Sequence, residues 1–311
     1  MCQEPEIDWA AVKAASQAYA RSQGFPVITE NPDIPAVIYR YCGADTFHAM
    51  LTNKQLWLTS VRHMKDSTEQ THFIEKAKKV LEELRRGPEP ESLYIQLLVQ
   101  NLDGMELTAY ACCFSNEADL LSQWCRYADD GSGFAVGFSV EWVKQQRHKY
   151  LPKHALELLE VEYDEERQRE LATTCIRRYL GQVVGLDIFD SLGRQAIGMW
   201  WIGHLWALSA ACKHPGFQEE KEVRLILAEI TNPDYETEAS RKTVGVSPLH
   251  HRLSGEQSIP YFKLPFSEDA IAEIRLGPKN LENRIAIESF LKSNGYDCGR
   301  IRIEPSQVPC R

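Results

Sequence analysis

The stretch "ACCFSNEADLLSQWCRYADDGSGFAVGFS", residues 111–139, decides the fold class because it combines two kinds of secondary structure in close succession. Its apolar ends predict β-strands over residues 107–115 and 133–139, and residues 118–127 between them have helical spacing. Trp124 and Tyr127 lie one turn apart on this helix and are expected to pack in the core against the sheet. A polar turn, "ADDGSG", leads into the second strand. A strand, a short helix and a second strand exclude an all-α or an all-β protein.

The same mixture continues on both sides of this stretch. Apolar periodicity predicts strands at residues 36–41, 55–60, 222–230, 259–266, 270–277 and 300–305, and helices at 69–86, 92–102 and 281–293. No period-length repeat is present. We therefore expect an α+β fold with an irregular, mainly antiparallel sheet flanked by helices.

The domain organisation follows from the same patterns. Residues 1–35 read as an N-terminal helix, over 8–23, and a Pro-punctuated linker, and residues 36–311 as a single α+β domain. Residues 140–215 are mostly helical in pattern, with one predicted strand at 156–163, and are interpreted as an insertion between strands. Within them, the uncharged stretch 195–212 contains Gln195, His204 and two Gly, so a buried helix is favoured over a membrane span.

Composition limits the partners and the compartment. The 311 residues carry a net charge of −9, from 44 Asp and Glu against 35 Lys and Arg, which argues against a broad nucleic-acid-binding surface. The nine Cys include no C-x-x-C pair, and Met1 is followed by an acidic segment instead of a secretory leader. We expect a cytoplasmic protein with reduced thiols and no membrane partner.

Metal and classical nucleotide motifs are missing from the sequence. No two His lie at H-x-x-x-H spacing on a strong helix, and the adjacent Cys112 and Cys113 would point to opposite faces of a strand. A P-loop and a G-x-G-x-x-G turn are also missing. We expect no metal site and no Rossmann-type cofactor fold.

Four polar residues occupy positions where a β-rich site would need them. Arg40 lies inside the apolar strand "VIYRY", where it either points to solvent or has a partner. Ser115 ends the strand "AYACCFS" and is either a helix cap or part of a site. Glu220 and Glu222 flank Lys221 at the entrance of a strand, as a solvated charge run or as two carboxylates on one face.

Several segments resemble the mainly bacterial domain-of-unknown-function family two-nine-seven-one. The similar segments are "IYRY" at 38–41, the block from Phe114 and Ser115 through Trp124, Tyr127, Gly133 and Gly137 to Phe138, "EKEVRLI" at 220–226, and "IRLGPK" at 274–279. The usual "fNDPfE" turn is replaced here by "MKDSTE", residues 64–69. The resemblance spans roughly residues 37–311 and implies no activity by itself.

The order Arg40, Ser115, Glu220-x-Glu222 is similar to the signature of ADP-ribosyltransferases, whose fold is an α+β split sheet. This resemblance implies a transferase that cleaves the nicotinamide–ribose bond of NAD and passes ADP-ribose to a protein or nucleic-acid acceptor. Glu222 would stabilise the oxocarbenium-like ribose, and Glu220 would position or deprotonate the acceptor. Arg40 would bind the pyrophosphate or ribose, Ser115 would orient Glu222, and Tyr41 or Tyr127 would stack on nicotinamide.

Two other interpretations remain open. The chain could be a non-catalytic binding or regulatory module of a bacterial defence or stress system, with Trp124, Tyr127 and the "YADDGSG" turn as its recognition surface. Alternatively, paired carboxylates such as Asp129, Asp130 and Glu222 could hydrolyse a nucleotide or glycoside, although consecutive Asp residues are typical turn formers.

Overall fold

The computed structural model describes residues 34–64, 69–86, 91–104, 108–149, 155–184, 191–229 and 247–309. The expected N-terminal helix over residues 8–23 lies outside the described residues, as does residue 230 of the predicted strand 222–230.

Ten strands form one sheet in this part of the chain. They are β1 Val37–Cys42, β2 Gln55–Ser60, β3 Thr108–Ser115, β4 Phe134–Ser139, β5 Ala155–Glu160, β6 Glu222–Glu229, β7 His250–Ser254, β8 Gln257–Pro265, β9 Ile271–Leu276 and β10 Arg302–Pro305. The α-helices are α1 Ala44–Asn53, α2 Glu69–Leu84, α3 Glu91–Gly104, α4 Leu121–Tyr127, α5 Val140–Lys149, α6 Glu165–Val183, α7 Ser191–Ala210 and α8 Arg284–Ser293.

The sheet has the order β10-β9-β4-β1-β3-β2-β8-β7, with β6 also paired to β3 and β5 paired to β6. Among the described strands, β9 and β10 are the parallel pair, joined through α8, and the other pairings are antiparallel. The prediction of an α+β fold with a mainly antiparallel sheet is confirmed.

One side of the sheet is covered by the main hydrophobic core. On β3 and β6, Phe114 and Cys112 lie opposite Val223 and Leu225, and all four are buried in this core. Helices α1, α5 and α8 contribute further core residues, namely Phe47, Leu51, Trp142, Val143, Ile287 and Leu291. Burial of both faces of β6 matches the continuous apolar pattern of its sequence.

The segment 140–215 builds a second, helical core. Helices α6 and α7 pack with α2 and α3 around Phe73, Ile95, Ile176, Trp201 and Leu205. The same segment also contributes β5, which pairs with β6 and extends the main sheet. No helix in the described part of the chain has the length and apolar character needed to cross a lipid bilayer.

The other side of the sheet is covered in two places that leave a space between them. Trp124 of α4 packs with Tyr41 and Ala135 over β1 and β4. Ala210, at the end of α7, packs with Ile226 over β3 and β6. Between these two places, β1 and β3 are joined by one residue pair, Tyr39 with Ser115, so the sheet opens there.

Close backbone contacts fix the turn after α4. Asp129, Asp130 and Gly131 have positive φ angles of 48°, 54° and 91°. The amide of Gly277 donates to the carbonyl of Gly133 at 3.0 Å. A Cβ atom on Gly277 would lie 2.3 Å from the carbonyl oxygen of Gly131, so this crossing of two chain segments requires glycine.

We expect Gly277→Ala to lower the free energy of unfolding by about 1–3 kcal/mol, the usual cost of forcing an extra carbon into a packed region. The matched control is Gly181→Ala in α6, where an added Cβ has open space around it. That change should be neutral or raise stability, because alanine favours helix over glycine. Urea unfolding followed by circular dichroism measures both, and equal stabilities would contradict the steric argument.

Candidate functional site

A cavity of about 860 Å³ occupies the space between the two covered regions. Its size falls in the range of small-molecule sites, roughly 300–1,000 Å³. Its ionisable lining residues include the cations Arg40, Arg126, Lys213, Arg224 and Arg252 and the carboxylates Asp45, Asp129, Glu220 and Glu222. The cavity therefore brings together residues from β1, α4, β6 and β7 and from the 3-10 turn Pro215–Glu220.

Glu222 is the first residue of β6, and its carboxylate is held by two cations. Oε1 accepts from Arg224 Nε at 3.0 Å, and Oε2 accepts from Arg224 Nη2 at 3.0 Å and from Lys213 Nζ at 3.2 Å. The Glu222 amide donates to Tyr163 Oη at 3.1 Å. Arg224 is itself anchored, because Nη1 donates to the carbonyl of Ala210 at 2.7 Å.

Glu220 ends the preceding 3-10 turn and shares the ammonium of Lys213. Its Oε2 accepts from Lys213 Nζ at 2.7 Å, and its Oε1 accepts from Arg126 Nη1 at 2.9 Å and Tyr127 Oη at 3.1 Å. Between the two glutamates, Lys221 adopts a left-handed conformation with φ 45° and pairs with Glu117 at the surface. Both carboxylates are buried and bind one ammonium, which favours the alternative of two carboxylates on one face over a solvated charge run.

The charges around Glu222 decide its protonation state. Burial alone would raise the pKa of this carboxyl, but the charges of Arg224 and Lys213, with hydrogen bonds from Arg224 and Cys113, lower the pKa to about 2. Glu222 is therefore a carboxylate at neutral pH. Burial and the nearby charge of Glu222 raise the pKa of the Cys113 thiol well above its ordinary value, so this thiol stays protonated.

Arg40 lines the same cavity from the opposite strand. Strand alternation alone would direct it towards the core, beside Ile38 and Cys42. Because β1 and β3 separate here, the partly buried side chain spans the gap, and Nη1 donates to the carbonyl of Cys113 at 2.9 Å. That bond uses one of the five N–H donors of a guanidinium. The interpretation of Arg40 as a purely solvent-facing residue is wrong.

Ser115 lies beneath the cavity and is not among its lining residues. It pairs directly with Glu222 across β3 and β6, so both side chains point to the same side of the sheet. The Ser115 hydroxyl donates to the carbonyl of Glu220 at 3.0 Å and accepts from the Glu117 amide at 3.3 Å. Its contact is thus with the backbone of Glu220 and not with the carboxylate of Glu222.

Both aromatic candidates, Tyr41 and Tyr127, line the cavity, but Tyr41 is buried and Tyr127 is partly exposed. Tyr41 stands edge-on to Trp124, at 4.7 Å between ring centroids, and its hydroxyl binds the backbone of Glu117 and Leu120. Trp124 is fully buried, which confirms that it packs against the sheet. Tyr127 is 36% exposed and lines the cavity, so its expected burial in the core together with Trp124 is wrong.

The two aspartates of the turn, Asp129 and Asp130, make contacts that hold the turn in place. Asp129 packs against Gly43, where a Cβ atom would lie 2.0 Å from its Oδ2. Asp130 pairs with Lys279 at 2.7 Å on the surface. Within the described ranges, no group of three or more His, Cys, Asp or Glu side chains is placed to hold a metal ion.

Sequence reasoning did not single out Lys213, Arg126 and Arg224 as parts of the site. The segment "VRL" places Arg224 between apolar residues, and this was the available signal for a buried, paired cation. Lys213 follows an uncharged helix and carries no comparable pattern.

The middle of the chain matches a known protein family. Residues 123–225 match the family model described as "Protein of unknown function (DUF2971)". This supports the family resemblance drawn from the sequence, and the matched segment extends from Gln123 through Glu220 and Glu222 to Leu225. No curated protein and no solved structure gives a significant match.

We expect Lys213→Met to lower the free energy of unfolding by about 3–5 kcal/mol, because it leaves two buried carboxylates without their shared cation. Lys221→Met is the matched control, since Lys221 and its partner Glu117 are both half-exposed and such pairs contribute little. Urea unfolding at neutral pH measures the difference. Equal effects of the two changes would show that the shared ammonium is not needed for stability.

The low pKa of Glu222 predicts a pH dependence. A carboxyl whose pKa is lowered in the folded state stabilises the fold above its ordinary pKa of 4.5, and that contribution is lost as the pH falls towards about 2. The stability gap between the native chain and Glu222→Gln should therefore be widest near neutral pH and should shrink below 4.5. Urea midpoints across this pH range measure it, and a constant gap would contradict the assignment.

Proposed function

We propose that this chain is an ADP-ribosyltransferase-like enzyme that cleaves the nicotinamide–ribose bond of NAD and transfers ADP-ribose to an acceptor. The observation that carries the proposal is the position of Arg40 and Glu222. They come from strands β1 and β6 and line one cavity where the sheet opens. An anion-binding guanidinium and an ionised carboxylate in one cleft match the two requirements of the reaction, a grip on phosphates and a stabiliser of positive charge.

The reaction needs little from the protein beyond binding and electrostatics. The bond between ribose C1′ and nicotinamide breaks, and its electron pair leaves with neutral nicotinamide. Positive charge then develops on the ribose, as it does in glycoside cleavage. An acceptor oxygen or nitrogen forms the new bond to C1′, and its proton passes to a carboxylate or to water.

Glu222 has the protonation state that this chemistry requires. With a pKa of about 2 it is negatively charged at neutral pH, so it attracts the developing charge and accepts hydrogen bonds from ribose hydroxyls. Arg224 and Lys213 hold the carboxylate in a fixed orientation, which means that little reorganisation is needed during the reaction. Arg40 supplies a cavity cation for the pyrophosphate.

Glu220 is assigned to the acceptor. Its carboxylate is held by Lys213, and by Arg126 and Tyr127 from α4. Arg126 is half-exposed, so this side of Glu220 lies nearest to solvent and to an incoming acceptor. Tyr127, which is partly exposed in the cavity, offers a ring on which nicotinamide can stack. Ser115 positions the Glu220 backbone from below.

A non-catalytic binding or regulatory module, for instance in a defence or stress system, is the second candidate. One observation favours it, namely that the oxygens of both glutamates already accept hydrogen bonds from cations. Networks of this kind also serve purely structural roles. Such a module would bind a nucleotide in the same cavity without breaking it.

The decisive measurement is nicotinamide release from NAD by purified protein, followed by chromatography. Glu222→Gln should lower the rate by roughly 100- to 1,000-fold, the usual effect of removing one preorganised electrostatic group. Arg40→Met should mainly raise KM for NAD, because it removes a binding cation. Both variants are first checked for native circular dichroism at the assay temperature.

Glu157→Gln is the matched control, because Glu157 is buried on the neighbouring strand β5 but is not a lining residue of the cavity. It should retain the native rate. An unchanged rate in Glu222→Gln would reject the role of Glu222. Calorimetric binding of NAD without any release of nicotinamide would reject the enzyme and support the binding module.

A further inference from the structure

A second surface continues directly from the cavity across β2, β8 and β7. Residues paired across neighbouring strands point to the same side, and here Trp57 pairs with Lys263, and Arg252 with Ile259. The intervening positions of β2 and β8 point the other way and are buried in the main core: Leu56, Leu58, Phe262 and Leu264. We call the side away from this core the hairpin face. It comprises Gln55, Trp57, Thr59, His250, Arg252, Ser254, Gln257, Ile259, Tyr261, Lys263 and Pro265.

A row of stacked rings crosses the hairpin face. The rings of Trp57 and Tyr261 lie 4.4 Å apart between centroids and 27° from parallel. Tyr261 and His250 continue the row at 5.6 Å and 29°. Trp57, at one end of the row, is 40% exposed. An exposed indole that already belongs to a parallel stack is a surface on which another flat ring can stack.

The charge of the hairpin face is opposite to that of the whole chain. The net charge of the protein is −9. None of the residues that form the hairpin face is Asp or Glu, whereas Arg252 and Lys263 are cations, and the carboxylate of Glu256 lies in the turn beyond them. A local positive surface on an acidic protein favours an anionic ligand.

The hairpin face is continuous with the candidate active site. Thr59, Arg252, Ser254 and Ile259 belong to the hairpin face and also line the cavity that contains Glu220 and Glu222. A molecule that lies along the hairpin face therefore reaches the two glutamates without crossing another structural element among the described residues.

From these observations we infer that the hairpin face binds single-stranded nucleic acid and directs one nucleotide into the cavity as the acceptor of ADP-ribose. A nucleic-acid strand has the two required features, flat rings for Trp57 and phosphates for Arg252 and Lys263. The strand must be single, because base faces in a duplex are already stacked on their neighbours. The binding part of this inference stands alone, and the acceptor part rests on the proposed function.

Binding is tested without NAD, by fluorescence anisotropy with labelled DNA and RNA strands of roughly 16 nucleotides, the upper end of typical site sizes. Trp57→Ala should weaken binding by roughly 5- to 100-fold through loss of one base stack. Arg252→Gln should reduce the slope of log affinity against log salt by about 0.7, the expected value for one phosphate contact on a single strand.

Leu253→Ala is the matched control, because Leu253 is 79% exposed on the opposite side of the same hairpin. It should bind like the native chain. Since Trp57 also packs on Tyr261, the Arg252 variant keeps the test valid if Trp57→Ala unfolds. Failure of both strands to bind at low salt, equal binding of duplex, or equal losses in the Leu253 and Arg252 variants would overturn the inference.

The acceptor is tested by adding the bound oligonucleotide to NAD and analysing the strand by mass spectrometry. A strand that gains the mass of ADP-ribose supports the whole inference. Binding with no nicotinamide release under any condition would support the hairpin face while rejecting the proposed enzyme. Nicotinamide release with ADP-ribose on protein and none on the strand would overturn the nucleic-acid acceptor and leave the enzyme intact.

Discussion

The ammonium of Lys213 between the carboxylates of Glu220 and Glu222 is the contact on which the cavity depends. Two buried carboxylates this close would repel each other, and one would take up a proton without a cation between them. The same network reaches the end of α7 through Arg224 and reaches α4 through Arg126. Because the two helices that flank the cavity are tied to one set of charges, their distance from the strands is fixed by electrostatics as well as by packing.

Much of the sheet could be predicted because its strands carry strong local patterns. β3, β4, β6 and β9 are apolar segments bounded by turn residues, and each was placed to within a few residues. β7 was not predicted, since "HHRLS" has no buried alternation. β7 is a strand because it pairs with β8. The periodicity of a single segment does not show which other strand it will pair with. β5 was predicted as a strand, over residues 156–163, but its pairing with β6 was not, for the same reason.

The candidate site was predictable only where residue type conflicted with its surroundings. Arg40 is a cation inside an apolar strand, and Glu220 and Glu222 are carboxylates at the start of another, so the sequence marked all three as candidates. The structure brings them to one cavity. Lys213 gave no such signal, because its role arises from a turn that folds the chain back onto Glu220. Tyr127 was assigned both to a site and to the core, and helical spacing cannot separate these alternatives when a helix has only seven residues.

The single residue pair between β1 and β3 also has a mechanical consequence. Every other strand pairing in the described sheet has at least two paired residues, so this line is where the sheet separates at the lowest cost in backbone hydrogen bonds. Arg40 and Glu222 stand on opposite sides of it. A ligand bound by both side chains would connect β1 to β6 across the opening between β1 and β3. Its binding free energy would therefore be coupled to the width of that opening.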